Sequence, residues 1–263
     1  MSTVIMKIIS LSENTSNKEN IGAEHGLSLY IEANGKKILF DFGASDLFVK
    51  NAVLLGVDLA RVDFAVLSHG HSDHGGGLSA FLELNSYAPV YVSPYAFEPH
   101  YNAKGEYIGL DPLLANEKRL KFVESKEFID TGLCVFNCNR LPSICTPAPT
   151  GHTKVTDGKH LIDDYVHEQY LVVTEGSKRI LISGCSHKGI VNIMEWVKPT
   201  HLVGGFHFSR LPLDERLLEY ADRLNEYDTN YYTCHCTGRE QFELMRSHMK
   251  NLCYLSAGEE VTI

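Results

Sequence analysis

Ser68-His69-Gly70-His71-Ser72-Asp73-His74-Gly75-Gly76 decides how this chain is read. It runs directly on from Phe64 to Leu67, a short apolar segment read as a buried strand. In an extended segment residues i and i+2 point to the same side, so His69 and His71 can reach one ion. Asp73 and His74 follow as the chain turns and can face a second ion. Gly75-Gly76-Gly77 lets the backbone pass close to such ions and start a helix. A single histidine is more often a solvated loop residue or a hydrogen-bonded core residue. Three histidines and an aspartate within six positions after an apolar strand are a different pattern. Imidazole with carboxylate suits Zn, Fe, Mn or Ni better than Ca or Mg.

Outward from this stretch, apolar runs alternate with helical patterns. Val4 to Leu11 reads as a strand. Leu27 to Ala33 and Lys37 to Phe42 read as a hairpin turning at Asn34-Gly35. Ser45 is a candidate cap for a helix carrying Phe48, Ala52 and Leu55 on one face, stopped by Gly56. Leu78, Phe81 and Leu82 mark a helix, and Pro89 to Val92 a strand. From Ser93 to Gly151 the periodicity weakens, and Tyr95, Phe97, Tyr101 and Tyr107 are scattered among prolines and glycines. That segment is expected to be a mobile lid or insertion over the site.

Order returns with a second hairpin, Tyr170 to Thr174 and Ile180 to Ser183, around Gly176-Ser177. A helix with Ile190, Val191, Met194 and Val197 follows. Then come a strand from His201 to Phe206, a helix from Asp214 to Tyr227, a strand from Asn230 to Cys234, a helix with Phe242, Met245 and Met249, and a short strand at Tyr254-Leu255. Antiparallel strands leading into alternating strand and helix, twice over, fit two sheets covered by helices on their outer faces, within one domain spanning 1–263.

With 263 residues and 44% hydrophobic content the chain can bury a sizeable core. A net charge of -9, with charges scattered, gives no electrostatic footprint for nucleic acid or an anionic membrane. It leaves room for a small anionic substrate, because a bound metal inverts the local field. The segment Met1 to Met6 lacks the basic and apolar regions of a signal peptide, and no run approaches a membrane span. The seven cysteines, odd in number and irregularly spaced, read as free thiols in a reducing cytoplasm. The expected partner is therefore a small-molecule substrate, not nucleic acid or membrane.

The stretch from Ser68 to Gly76 resembles the signature of the metallo-β-lactamase superfamily of metal-dependent hydrolases, and Asp41-Phe42-Gly43 resembles its structural Asp-x-Gly. Glu24-His25-Gly26-Leu27-Ser28, Gly184 to Asn192, Gly204-Gly205-Phe206-His207 and His235-Cys236-Thr237-Gly238 resemble the branch similar to dihydropterin ribofuranosyl-aminobenzene phosphate synthase. The resemblance implies an α/β (α+β), four-layer αββα sandwich with a dinuclear site at one edge. It implies that His69 and His71 bind a first ion, and that Asp73, His74 and His235 bind a second. Where superfamily members usually carry a bridging aspartate, this chain has Cys185, with His187 two positions on. The third ligand of the first ion is expected to be His187, with His152, His160 and His167 as the upstream candidates. Zn is the first choice of metal, one or two ions, with Fe, Mn and Ni compatible.

His207 is weighed as a ligand or substrate-facing acid/base against a strand-end histidine, and His25 as a wall of the pocket. Cys185 is weighed as a thiolate ligand against a buried apolar residue. His100, His201 and His248 read as surface or core residues. Cys234 and Cys236 flank His235 without the second pair a zinc knuckle needs. No nucleophile elbow, phosphate loop or dinucleotide glycine pattern competes. Three functions follow. The first is a hydrolase using a metal-activated water on an ester or phosphoester, with Asp73 orienting the nucleophile. The second is a pterin or phosphoribosyl C–N bond-forming synthase. The third is a non-catalytic metal or redox sensor acting through Cys185.

Overall fold

Alternation along the strands generates the layers. Ile8, Ile38, Phe40, Ile180 and Ile182 join one apolar cluster, whereas their neighbours Ile9, Leu39 and Leu181 join two others. Each sheet therefore buries both faces. The computed structural model describes residues 6–263. Val4 and Ile5, the start of the expected first strand, lie outside the described residues; the strand they lead into spans Lys7–Ser12.

One seven-stranded sheet runs in the spatial order Glu260–Thr262, Lys7–Ser12, Ser28–Ala33, Lys36–Phe40, Phe64–Val66, Val90–Val92, Leu120–Phe122. The other runs Leu252–Tyr254, Asn230–Thr233, His201–Gly204, Lys178–Ile182, Tyr170–Glu175, Leu133–Phe136, Lys126–Asp130. Each is antiparallel on one side and parallel on the other. Their facing surfaces share the cluster of Ile8, Leu29, Ile31, Phe40, Val66, Val135, Leu171, Ile182 and Val203. Helices Leu47–Leu54 and Leu78–Leu84 cover the outside of the first sheet through Phe48, Ala52 and Phe81. Helices Ile190–Val197, Glu215–Asn225 and Arg239–Arg246 cover the second through Met194, Leu217 and Phe242. This is the expected αββα sandwich.

The segment 93–151 departs from the expectation of one lid. Leu120–Phe122 extends the first sheet and Leu133–Phe136 the second, so the middle of the segment is built into the core. Its strands escaped notice because they are three to five residues long and Lys126–Asp130 is mostly exposed on an edge. What stands apart is a small sheet of His100–Tyr101, Thr153–Thr156 and Lys159–Ile162. The closing strand Glu260–Thr262, which pairs with Lys7–Ser12, also has no counterpart in the sequence reading.

Candidate metal centre

Most of the candidate side chains follow the carboxyl end of a strand that has a parallel neighbour. Asp41 follows Lys36–Phe40, and His69 follows Phe64–Val66. Cys185 and His187 follow Lys178–Ile182, His207 follows His201–Gly204, and His235 follows Asn230–Thr233. The two sheets bring these ends together at one edge of the sandwich. Asp41, Ser186, His207 and His235 all adopt positive φ, between 50° and 61°. Non-glycine residues take that conformation only where surrounding contacts enforce it.

The contacts here are buried carboxylates. Asp41, fully buried, accepts from the Ser68 backbone N–H (2.6 Å), the Ser68 hydroxyl (2.7 Å) and His74 Nδ1–H (2.7 Å). Glu168 accepts from the N–H groups of His187 (2.7 Å) and Lys188 (3.0 Å). Glu13 accepts from the N–H of His235 at 2.6 Å. Three histidine-bearing loops, those of His69 to His74, His187 and His235, are thus each pinned by one acid. Gly70 meets the backbone of Ala96, where a Cβ would lie 2.1 Å from the carbonyl oxygen. Gly76 and Gly77 approach the Asp41 loop, not the ligand cluster: a Cβ on Gly77 would lie 2.2 Å from the Phe42 oxygen, while Gly75 packs on Leu110 and Leu67.

The hydrogen bonds also set where each imidazole keeps its proton. Ser68 gives its hydroxyl hydrogen to Asp41, so its oxygen accepts from His69 Nδ1–H at 2.8 Å. Asp41 takes Nδ1–H of His74, and the Asn14 side-chain oxygen takes Nδ1–H of His235 at 2.7 Å. All three rings therefore carry a lone pair on Nε2. Those of His74 and His235 lie 3.1 Å apart, and His69 Nε2 lies 3.3 Å from His187 Nε2. Cys185 Sγ is 3.2 Å from His74 Nε2, and Asp73 Oδ2 is 3.3 Å from His235 Nε2. Lone pairs aimed at one another repel unless a cation lies among them. Tetrahedral coordination at about 2.0 Å places donor atoms about 3.3 Å apart. The donor set therefore fits divalent transition metals.

Donor atoms of His69, His71 and His187 fall within 4.8 Å of one another, as do those of His69, His74 and Cys185. His25, Asp73 and His235 form a third such group, and Cys185, His235 and Cys236 a fourth. Cys185 belongs to two of these groups, at the position where the resemblance implies a bridging residue. His160 is exposed on the outer strand of the small sheet, far from an ideal ligand environment. His167 spends its Nδ1 on the Gly70 N–H, and His152 lines the cavity. His207 packs on His187, with ring centres 4.4 Å apart. The residues the sequence reading missed are the supports Glu13, Asn14, Glu168, His100 and Asp163. None belongs to a local pattern, because each acts on a loop distant in the chain.

Burial, reinforced by neighbouring imidazoles, holds His69, His71 and His187 well below the ordinary histidine range. Burial likewise pushes His207 down to about 3. Burial would push the Asp73 carboxyl up, but the imidazoles of His74, His235 and His25 around it pull it well below the usual range. The Cys185 thiol is pushed up by burial and by Cys236 beside it, so without a cation its sulfur stays protonated. The cluster opens into a cavity of about 260 Å³ walled by His25, Asp73, Asn102, His152, His207 and Arg210.

The metallo-beta-lactamase superfamily profile matches residues 21–227. An uncharacterized protein of Methanocaldococcus jannaschii is 31% identical over 96% of this chain and 98% of its own length. The 7,8-dihydropterin-6-methyl-4-(beta-D-ribofuranosyl)-aminobenzene-5'-phosphate synthase of the same organism is 28% identical over 89% of this chain and 88% of its own. Among solved structures, Tm1679, a metal-dependent hydrolase of the beta-lactamase superfamily, superposes with a TM-score of 0.84 at 28% identity, covering 98% of this chain and 99% of that one.

Proposed function

The chain belongs to the metallo-beta-lactamase superfamily, and from that premise we propose that it is a metal-dependent hydrolase of a small anionic ester, a phosphoester first. The observation that carries this reading is a pair of abutting donor sets open to one cavity: His69, His71 and His187 within 4.8 Å of one another, and Asp73, His74 and His235 within 3.8 Å, with Cys185 grouped with His69 and His74. When bound, divalent ions supply Lewis acidity and lower the pKa of a water from about 15.7 toward about 7.

The chain's own residues do the rest. Asp73 keeps a carboxylate at the cavity wall, with Oδ2 3.3 Å from both His25 Nε2 and His235 Nε2. That carboxylate accepts a hydrogen from an attacking water and orients it. His207 is neutral at physiological pH, so it offers a ring N–H, not an imidazolium, to the oxygen that gains charge. Arg210 is the one lysine or arginine on the cavity wall and makes no ion pair among the described residues. It is exposed at the mouth and suited to a phosphate or carboxylate.

A second reading, a C–N bond-forming synthase, is favoured by the synthase relative that matches over most of both chains. A neighbouring cavity of about 480 Å³, with Leu141, Pro147, Tyr165 and Trp196 on its wall, adjoins the first at His152 and His187 and would take a flat ring. The test is to load the purified chain with Zn, Mn, Fe and Ni in turn and screen phosphoesters, thioesters and lactones in ¹⁸O-labelled water. Metal-dependent turnover with label in one product supports the hydrolase. Turnover that joins two substrates without label selects the synthase. A chain that retains none of the four metals overturns both.

A further inference from the structure

Three of the cluster histidines are anchored at Nδ1; His187 is not, and neither is His71. Its Nε2 is fully buried and has no hydrogen-bond partner. Packed against the same ring is a second group of buried residues, His100, Asp163 and His167, one donor atom of each lying with one of His71 within 4.8 Å. His100 belongs to the small sheet, and Asp163 follows that sheet's last strand.

Proton positions in this group can be traced in order. The Gly70 N–H donates to His167 Nδ1 at 2.9 Å, so His167 carries its proton on Nε2, 3.4 Å from Asp163 Oδ2. The same oxygen is 2.8 Å from His100 Nδ1, and a carboxylate only accepts, so His100 is protonated at Nδ1. Asp163 Oδ1 takes the N–H of Tyr165 at 2.8 Å. What remains is a lone pair on His100 Nε2, buried and without a partner. The His100 and His71 rings meet edge to face, with centres 5.5 Å apart.

If His71 bore its proton on Nδ1, two buried lone pairs, His71 Nε2 and His100 Nε2, would sit beside the Asp163 carboxylate, and the one donor of the group, His167 Nε2–H, has that carboxylate 3.4 Å away. With the proton on Nε2, a donor faces acceptors. We propose that His100, Asp163 and His167 act as a tautomer lock on His71, holding its proton on Nε2 and reserving Nδ1 for the metal. The inference rests on reading His71 as a ligand. The same four residues could be taken for a separate metal cage. The Gly70 N–H opposes that, because an ion at His167 Nε2 would move the proton to Nδ1, against the amide. His100, Asp163 and His167 are positioning residues in this scheme, and none touches substrate. Anchoring through the nitrogen opposite the ligand atom fixes ring orientation and raises ligand basicity.

The experiment is long-range ¹H–¹⁵N spectroscopy of the full chain labelled at histidine, without metal and with Zn, together with Zn titration of variants. His71 should show Nε2–H in both states. His100→Leu and Asp163→Asn should lower Zn affinity roughly 10- to 100-fold with the number of bound ions unchanged. His100→Gln, which retains an acceptor oxygen, should recover most of the loss. Nδ1–H on His71 in the wild type overturns the proposal. So does the loss of one Zn equivalent in Asp163→Asn, which would make the cluster a metal site. Should a variant fail to fold, the wild-type spectrum decides alone. The spectrum needs no turnover, so a chain that hydrolyses nothing can still pass.

Discussion

At the scale of single residues the centre is governed by where protons sit. His69, His74 and His235 have Nδ1 engaged by Ser68, Asp41 and Asn14, which leaves Nε2 to converge on the cavity edge. His187 differs, since its Nδ1 is buried without a partner while its Nε2 faces His69 at 3.3 Å. Cys185 is softer and starts protonated, so metal binding there must first release a proton. His187→Ala should therefore weaken metal binding more than Cys185→Ser, and Cys185→Asp should retain a two-ion site. Competitive metal titration of the three variants measures this. Wild-type affinity in His187→Ala would shift the missing ligand to His152.

At the scale of elements, strands and cover play different parts. Phe64–Val66 is central, buried on every residue and paired on both sides, and it launches the histidine stretch from a rigid base. The small sheet packs over His71 yet ends in Lys159–Ile162, an edge strand exposed at all four positions. Such an element opens at lower free energy than a central strand. Backbone amides of Lys159–Ile162 should exchange at least tenfold faster than those of Phe64–Val66, and metal should slow exchange around His100. Hydrogen exchange with mass detection reads both. Equal protection of the two strands in the metal-free chain would remove the small sheet as a mobile cover.

For the whole molecule the consequence is a stability that depends on pH and metal. His69, His71, His187 and His207 are held below the ordinary value near 6.5, chiefly by burial, and His167 at about 4. Below about pH 6.5 the unfolded chain binds protons that the folded one refuses, so stability falls as pH falls. His74 acts in the opposite sense: burial lowers it, but Asp73 and Asp41 together raise it above the ordinary value, so it favours the fold at low pH. One such group does not offset the others. The metal-free chain should lose several degrees of melting temperature between pH 7.5 and 5.5. Metal at 100 times its Kd should add about 2.7 kcal/mol at neutral pH. Thermal melts across that range check both, and a flat profile for the stripped chain contradicts the first.

Much of this was legible along the chain, for a physical reason. The hairpins at Asn34-Gly35 and Gly176-Ser177, the two-residue spacing of His69 and His71, and the switch from strand to helical period are local, set by neighbours a few residues apart. They suffice for the αββα architecture and for the ligand-bearing stretch. The strands Leu120–Phe122, Leu133–Phe136 and Glu260–Thr262 are too short to carry a period and exist because a sheet edge offers them hydrogen bonds. The supports of the metal centre lie beyond local reading altogether. Glu13 meets His235, Glu168 holds the His187 loop, and Asp163 meets His100 across 63 positions. A hydrogen bond between separate loops leaves no spacing in the sequence. Local pattern decided which residues bear donor atoms; only tertiary packing decided which nitrogen of each ring is free to use.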